Sequence, residues 1–248
     1  MKFFFRAALA VWSIFLTNVA FAQSTTNLPG VALNFGQGTN LVDTMEVLLL
    51  FTVLTLAPAI IILCTSFTRI VVVLSFMRQA LGTQNMPPNQ LLIGFAMFLS
   101  VFVMMPTGQS IYKNSIQPYQ AKQIDATQAI KGLETDLRAF MQKHVRKADI
   151  GLFYDVTNAA APADINAVPT HYLIPAFIIS ELKTAFQIGF LLYIPFIVLD
   201  MVVASVLMAM GMMMLPPMLV SMPFKLLLFV LVDGWQLVTG AILRSFNT

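Results

Sequence analysis

The sequence predicts an all-α membrane protein with about four long, kinked apolar helices arranged as two hairpins. A small helical extracytoplasmic domain joins them, and a cleaved signal peptide precedes them. Three observations carry that expectation. Of 248 residues, 58% are hydrophobic and 10% charged, with a mean hydropathy of +0.81, whereas a soluble domain carries about 25% charged residues. The apolar residues fall into runs near the ~20 residues that span a bilayer. The charges are crowded instead, with 13 of 25 lying in residues 107–170.

The N-terminus, MKFFFRAALAVWSIFLTNVAFAQ, places Lys2 and Arg6 ahead of an apolar stretch and ends on Ala20-Phe21-Ala22. A basic start, a short apolar run and small residues at −3 and −1 predict a signal peptide over 1–22, cleaved after Ala22. Without those two cations the net charge falls from +3 to +1, which argues against a nucleic-acid partner. Residues 23–43 are a polar, Gly- and Asn-rich exported lead-in.

Residues 44–106 predict the first hairpin. No charge occurs from Val47 to Thr68, and Pro58 is expected to kink that helix. Arg69 and Arg78 bracket IVVVLSFM, so the first helix extends beyond one span. In ALGTQNMPPNQ, Gly82, Asn85 and the Pro87-Pro88 pair form a turn. Arg69 and Arg78 near it place that turn in the cytoplasm by the positive-inside rule, in agreement with an exported N-terminus. A second apolar run goes from Leu91 to Met105 and stops at Pro106.

Residues 107–170 predict the periplasmic helical domain. Ile130, Leu133, Leu137, Phe140 and Met141 have the spacing of an amphipathic helix. Asp125 with Gln128 reads as its capping box, and a shorter helix follows Asp149 over 150–156. APADINAVP is a linker. Leu133, Leu137 and Phe140 are candidate subunit contacts.

Residues 171–248 predict the second hairpin. It is apolar, yet it carries Glu181, Lys183, Asp200, Lys225, Asp233 and Arg244, and its prolines at 175, 195, 216, 217 and 223 read as breaks. Ionisable groups at membrane depth cost at least about 2.5 kcal/mol each and usually face protein or water. With the tip at about residue 212, Asp200 and Lys225 lie equally far from it, on the order of 19 Å, and are expected to neutralise each other. Glu181, Lys183 and Asp233 have no evident intrachain partner and are expected to pair between subunits.

The tip itself, MGMMMLPPM, holds five methionines. Eight of the chain's 16 methionines lie between Met201 and Met222. Methionine's flexible, polarizable thioether lets a ring of such side chains close without a fixed shape, and a hydrophobic constriction gates by dewetting.

Nothing here predicts an enzyme. Cys64 is the lone cysteine, and His144 and His171, 27 residues apart, belong to no ligand cluster and read as surface or interface residues. There is no phosphate loop and no nucleophile motif, so no catalytic residue, cofactor or metal is expected. An ion or small-solute transporter using intramembrane Asp and Lys is the alternative, disfavoured because no inverted repeat is visible.

Five stretches carry a resemblance: TSFTRIVVVLS (65–75), RQALGTQNMPPNQ (78–90), PAFIISELKTAFQIGF (175–190), IPFIVLDMVVASVLMAMGMMMLPP (194–217) and PFKLLLFVLVDGW (223–235). From about residue 44 onward the chain resembles the FliP/SctR family of type III secretion export-gate proteins, and its turn and signal resemble the flagellar branch more than the injectisome branch. The resemblance implies a homo-oligomer with FliQ-like and FliR-like membrane subunits and other export-apparatus proteins. Unfolded export substrates would pass through it at the bacterial inner membrane, in the flagellar basal body. It further implies bent hairpins standing partly out of the bilayer, with Met210, Met212, Met213 and Met214 ringing the channel and Gly211 as a hinge-like break.

Overall fold

The computed structural model describes residues 41–83, 86–160, 162, 164–212 and 214–246. The expected signal peptide with Ala20 and Ala22, most of the lead-in, and Asn85 and Met213 lie outside the described residues. The chain divides after Thr52 into two units, and all packing described below belongs to the second, Val53–Thr248.

The described residues form helices and connections, with no strand among them. In order these are α1 (Leu41–Leu63), α2 (Phe67–Ala80), α3 (Asn89–Val103), α4 (Met105–Ile111), a π-helical turn (Tyr112–Ile116), α5 (Gln117–Gln120), α6 (Ala126–His144), α7 (Lys147–Thr157), a 3₁₀ turn (Ile165–Ala167), α8 (Thr170–Ala209), α9 (Pro217–Leu231) and α10 (Gly234–Arg244). α8 is the one described helix that is by itself long and apolar enough to cross a membrane. Three bent pairs meet the same test jointly: Leu54–Leu63 with α2 (67°), α3 with Met105–Gln120 (60°) and α9 with α10 (67°).

Pro216-Pro217 stand at a break as expected, but four other prolines do not break their helices. Pro58 lies inside α1, and that helix ends at Cys64–Ser66 instead. Pro175 and Pro195 lie inside α8 and Pro223 inside α9; Pro106 follows the end of the run at Val103, as expected, and opens α4. Proline removes one ladder bond and crowds the preceding turn, a local loss that the remaining cooperative ladder of a long helix absorbs. The sharp bend after α9 comes at Asp233, in the left-handed region (φ +50°), whose carbonyl accepts from the N–H groups of Gln236 and Leu237. Asp tolerates that conformation better than most residues.

α2 is the centre of the core. Ile70, Val73, Leu74, Met77 and Ala80 are buried at helical spacing, against Ala176, Phe177 and Ala185 of α8 and Leu92, Ala96 and Leu99 of α3. α2 and α8 run in the same direction, so Phe76 meets Phe186 edge-on at 5.2 Å. Gly189 lets the helices close, since a Cβ there would come within 2.7 Å of the Phe76 ring. α3 returns along α2, where Ser66 and Ser100 share a buried hydrogen bond of 3.0 Å.

α6 starts on the expected capping box. The Gln128 N–H donates to Asp125 Oδ1 at 2.7 Å, and the Asp125 N–H donates to Gln128 Oε1 at 3.3 Å. α7 begins earlier than expected, so Asp149 lies in its first turn and does not cap it. Asp149 instead accepts from Arg146 Nη2 at 2.6 Å and from the Ser180 hydroxyl of α8. Arg138 of α6 donates to the Val168 carbonyl at 2.6 Å, fixing the entry to α8, and Tyr154 stacks on Tyr172 at 4.4 Å. Phe140, expected at a subunit contact, is buried on its own chain's Phe177, whereas Ile130 and Leu133 remain exposed.

Candidate functional site

The tip is built by a helix stop. After α8 ends at Ala209, the Gly211 N–H donates to Met208 O (3.0 Å) and the Met212 N–H to Leu207 O (2.9 Å). This pair of bonds is a Schellman cap, which needs a left-handed residue at its centre. Gly211 supplies it, with φ +72°, and a Cβ there would meet nothing within 4 Å. Its glycine character therefore serves backbone conformation and not space. Pro216 then stands as N-cap and Pro217 as first residue of α9, a position that needs no N–H.

The methionines on this cap are uncovered in the single chain: Met210 is 67%, Met212 41% and Met214 98% exposed. Met201, Met208 and Met218 are exposed as well. Within their own chain these methionines fill no gap.

Behind the tip, α9 returns along α8 and brings Lys225 to Asp200, Nζ to Oδ2, at 2.7 Å. Lys225 is 1% and Asp200 25% exposed. Ser221, one turn before Lys225, donates its hydroxyl to the other carboxylate oxygen. Sequence reasoning missed Ser221, although its i, i+4 spacing from Lys225 places both on one helix face. Gly82 of the α2–α3 turn, at φ +74°, lies over the ammonium: a Cβ on it would be 3.9 Å from Nζ.

A second ion pair ties three elements together. Arg69 donates from Nε to Glu181 Oε2 at 2.9 Å and from Nη2 to Oε1, with both side chains almost wholly buried. Its Nη1 donates to Ser245 O at 2.7 Å, and its Cζ lies 3.8 Å over the Phe246 ring. This corrects two expectations. Arg69 belongs to the interior at the start of α2 and not to the turn, and Glu181 has an intrachain partner. The pairing joins residues 112 apart, which no local pattern reveals.

Arg78 does serve the turn, donating to Asn89 Oδ1 and to the Pro87 carbonyl, and Pro88 is the N-cap of α3. Lys183 and Asp233 are exposed and form no ion pair among the described residues.

His144, expected at a surface or interface, is half-buried at the edge of a cleft. It packs between the Phe140 and Phe246 rings (4.5 and 5.5 Å), and burial holds its pKa below the usual 6.5. Two carbonyl hydrogen bonds oppose that shift, while the nearby positive charges of Arg69 and Lys143 add to it. Among the described residues no group of three His, Cys, Asp or Glu side chains could hold a metal.

The comparisons with known proteins agree on one family. The model of the FliP family matches residues 50–242. The chain is 53% identical over 207 residues to a flagellar biosynthetic protein FliP of Bacillus subtilis (strain 168), covering 84% of this chain and 94% of the relative. To the protein of that name in Cereibacter sphaeroides it is 50% identical over 219 residues, covering 88% and 73%. To that of Pectobacterium carotovorum subsp. carotovorum it is 46% identical over 245 residues, covering 97% and 93%. The chain belongs to the FliP family.

Proposed function

We propose that this protein is a pore-forming subunit of the flagellar type III export gate, passing unfolded flagellar subunits across the bacterial inner membrane. Its role is structural, without catalysis or cofactor. In this reading, copies of the chain assemble with FliQ-like and FliR-like membrane subunits, and residues 107–170 face the periplasm.

One observation carries the gating part: thioethers stand uncovered on a rigidly capped turn at the end of a 40-residue helix. Side chains that find no partner in their own chain are available to one another across a ring of copies. Methionine lets such a ring fit chains of many shapes, where Leu or Ile would seal but adapt poorly. The exposed apolar faces of α8 and α9, including Phe190, Leu191, Val202, Leu227 and Val230, fit lipid or neighbouring subunits. The names of the relatives favour the flagellar over the injectisome assignment.

The test is ion conductance of cells expressing the assembled gate with Met210, Met212, Met213 and Met214 replaced by Ala. Leakage at normal assembly is expected. Unchanged conductance in a normally assembled particle would remove the seal, and recovery of the chain without other small membrane proteins in mild detergent would remove the gate assignment.

A further inference from the structure

The cleft beside His144 encloses about 450 Å³ between α4, α6 and α10, and α6 puts two opposite charges on it, Asp136 and Lys143. Seven residues apart, they share one face of the helix and stand about 10 Å from each other along its axis. They do not neutralise each other. Lys143 forms no ion pair among the described residues, and Asp136 takes only the Asn114 amide, at 3.3 and 3.4 Å. A carboxylate accepts about four hydrogen bonds and an ammonium donates three, so both keep capacity for a ligand. Thr107 of α4 adds a hydroxyl to the lining. His144, with both ring nitrogens on carbonyls, supplies wall rather than a ligand.

The rest of the lining is apolar and leads out of the cleft. Phe102 of α3 and Leu243 of α10 border it, and farther back the same two helices meet where Phe95 and Trp235 pack edge-on at 6.3 Å. The helices therefore run side by side from that pair to the cleft, and Phe98 and Phe102 on this stretch of α3 are exposed. Both helices reach polar residues at the same place. α3 ends at Val103, ahead of Thr107 and Ser110, and α10 ends on the exposed Arg244. In a bilayer, such a change from apolar helix to polar and basic residues marks the depth of the headgroups.

We propose that this cleft binds the headgroup of an ethanolamine phospholipid. Asp136 accepts from its primary ammonium, Lys143 and Thr107 hold its phosphate, and an acyl chain lies along the seam between α3 and α10. Charge selects the occupant. A purely anionic headgroup would satisfy the lysine but set a like charge against the carboxylate. A choline headgroup carries its positive charge without an N–H to donate, and so loses the charge-assisted hydrogen bond. The inference requires a membrane-embedded chain and stands whether or not that chain lines a pore.

Native mass spectrometry of the full-length protein in detergent tests it, with phosphatidylethanolamine and phosphatidylcholine of identical acyl chains added in equal amounts. One tight adduct is expected with the ethanolamine lipid, held about tenfold more tightly, the low end of what a hydrogen bond to a charged group contributes. Asp136→Asn should erase that preference, and Lys143→Gln should weaken both lipids. Ala139→Trp, which fills the cleft and leaves both charges in place, should lose the adduct. Should Asp136→Asn fail to fold, the wild type decides alone: affinity should fall stepwise as the ammonium gains one, two and three methyl groups. Equal binding of the two lipids by the wild type, as when a second copy or another protein covers the cleft, overturns the proposal. So does a preference that survives in Asp136→Asn or an adduct that survives in Ala139→Trp.

Discussion

Lys225 Nζ and Asp200 Oδ2 lie 2.7 Å apart across the turn between α8 and α9, with the lysine sealed from solvent and the aspartate one-quarter exposed. That inequality makes the pair asymmetric to mutation. Asp200→Ala leaves an ammonium buried without its counter-ion and should cost about 3–5 kcal/mol. Lys225→Met removes the buried charge itself, leaves Asp200 with Ser221 and some solvent, and should cost less. Thermal unfolding in detergent ranks the two. The reversal Asp200→Lys with Lys225→Asp should restore assembly that either single reversal abolishes, and the absence of any rescue would show that the contact does not matter for assembly.

Arg69 engages one carboxylate through two nitrogens, one carbonyl through a third and an aromatic ring through its face. A lysine ammonium cannot reproduce that fork. Arg69→Lys should therefore lower stability by roughly 1.5–3 kcal/mol, the range for hydrogen bonds to charged groups. Glu181→Gln should be at least as damaging, because it strands a buried guanidinium. Equal melting temperatures for Arg69→Lys and the wild type would show that the fork is dispensable.

Two glycines in apolar helices should respond in opposite directions. At Gly189 a methyl group would run into the Phe76 ring, whereas at Gly94 it would meet nothing within 4 Å. Gly189→Ala should destabilise by about 1–3 kcal/mol through overpacking. Gly94→Ala should be neutral or stabilising by up to about 1 kcal/mol, from helix propensity. Unfolding midpoints of the two variants, measured side by side, check the contrast.

Asp125 caps α6 on the exposed side of the chain, so its removal tests local structure without disturbing the core. Asp125→Ala should cost about 1 kcal/mol. Hydrogen exchange should quicken at the first turn of α6 and stay unchanged in α2. Uniform acceleration across both helices would mean that the cap is not a local device.

The sequence by itself determined whatever depends on near neighbours and on composition. The all-helical class follows from long apolar runs, the start of α6 from Asp125 and Gln128, and the turn before α3 from Gly82 and the proline pair. The opposition of Asp200 and Lys225 followed from equal spacing about a recognisable turn. The tertiary structure decided the rest. Arg69 and Glu181 are 112 residues apart, and only the parallel alignment of α2 and α8 brings them into contact. Without it, an arginine near a turn reads as a topology signal and an intramembrane glutamate as a subunit contact. Likewise, prolines that look like breaks are absorbed within α8 and α9, because the rest of a long cooperative ladder outlasts one missing hydrogen bond. His144 gains its contacts with Phe246 only when the far end of α10 folds back onto α6.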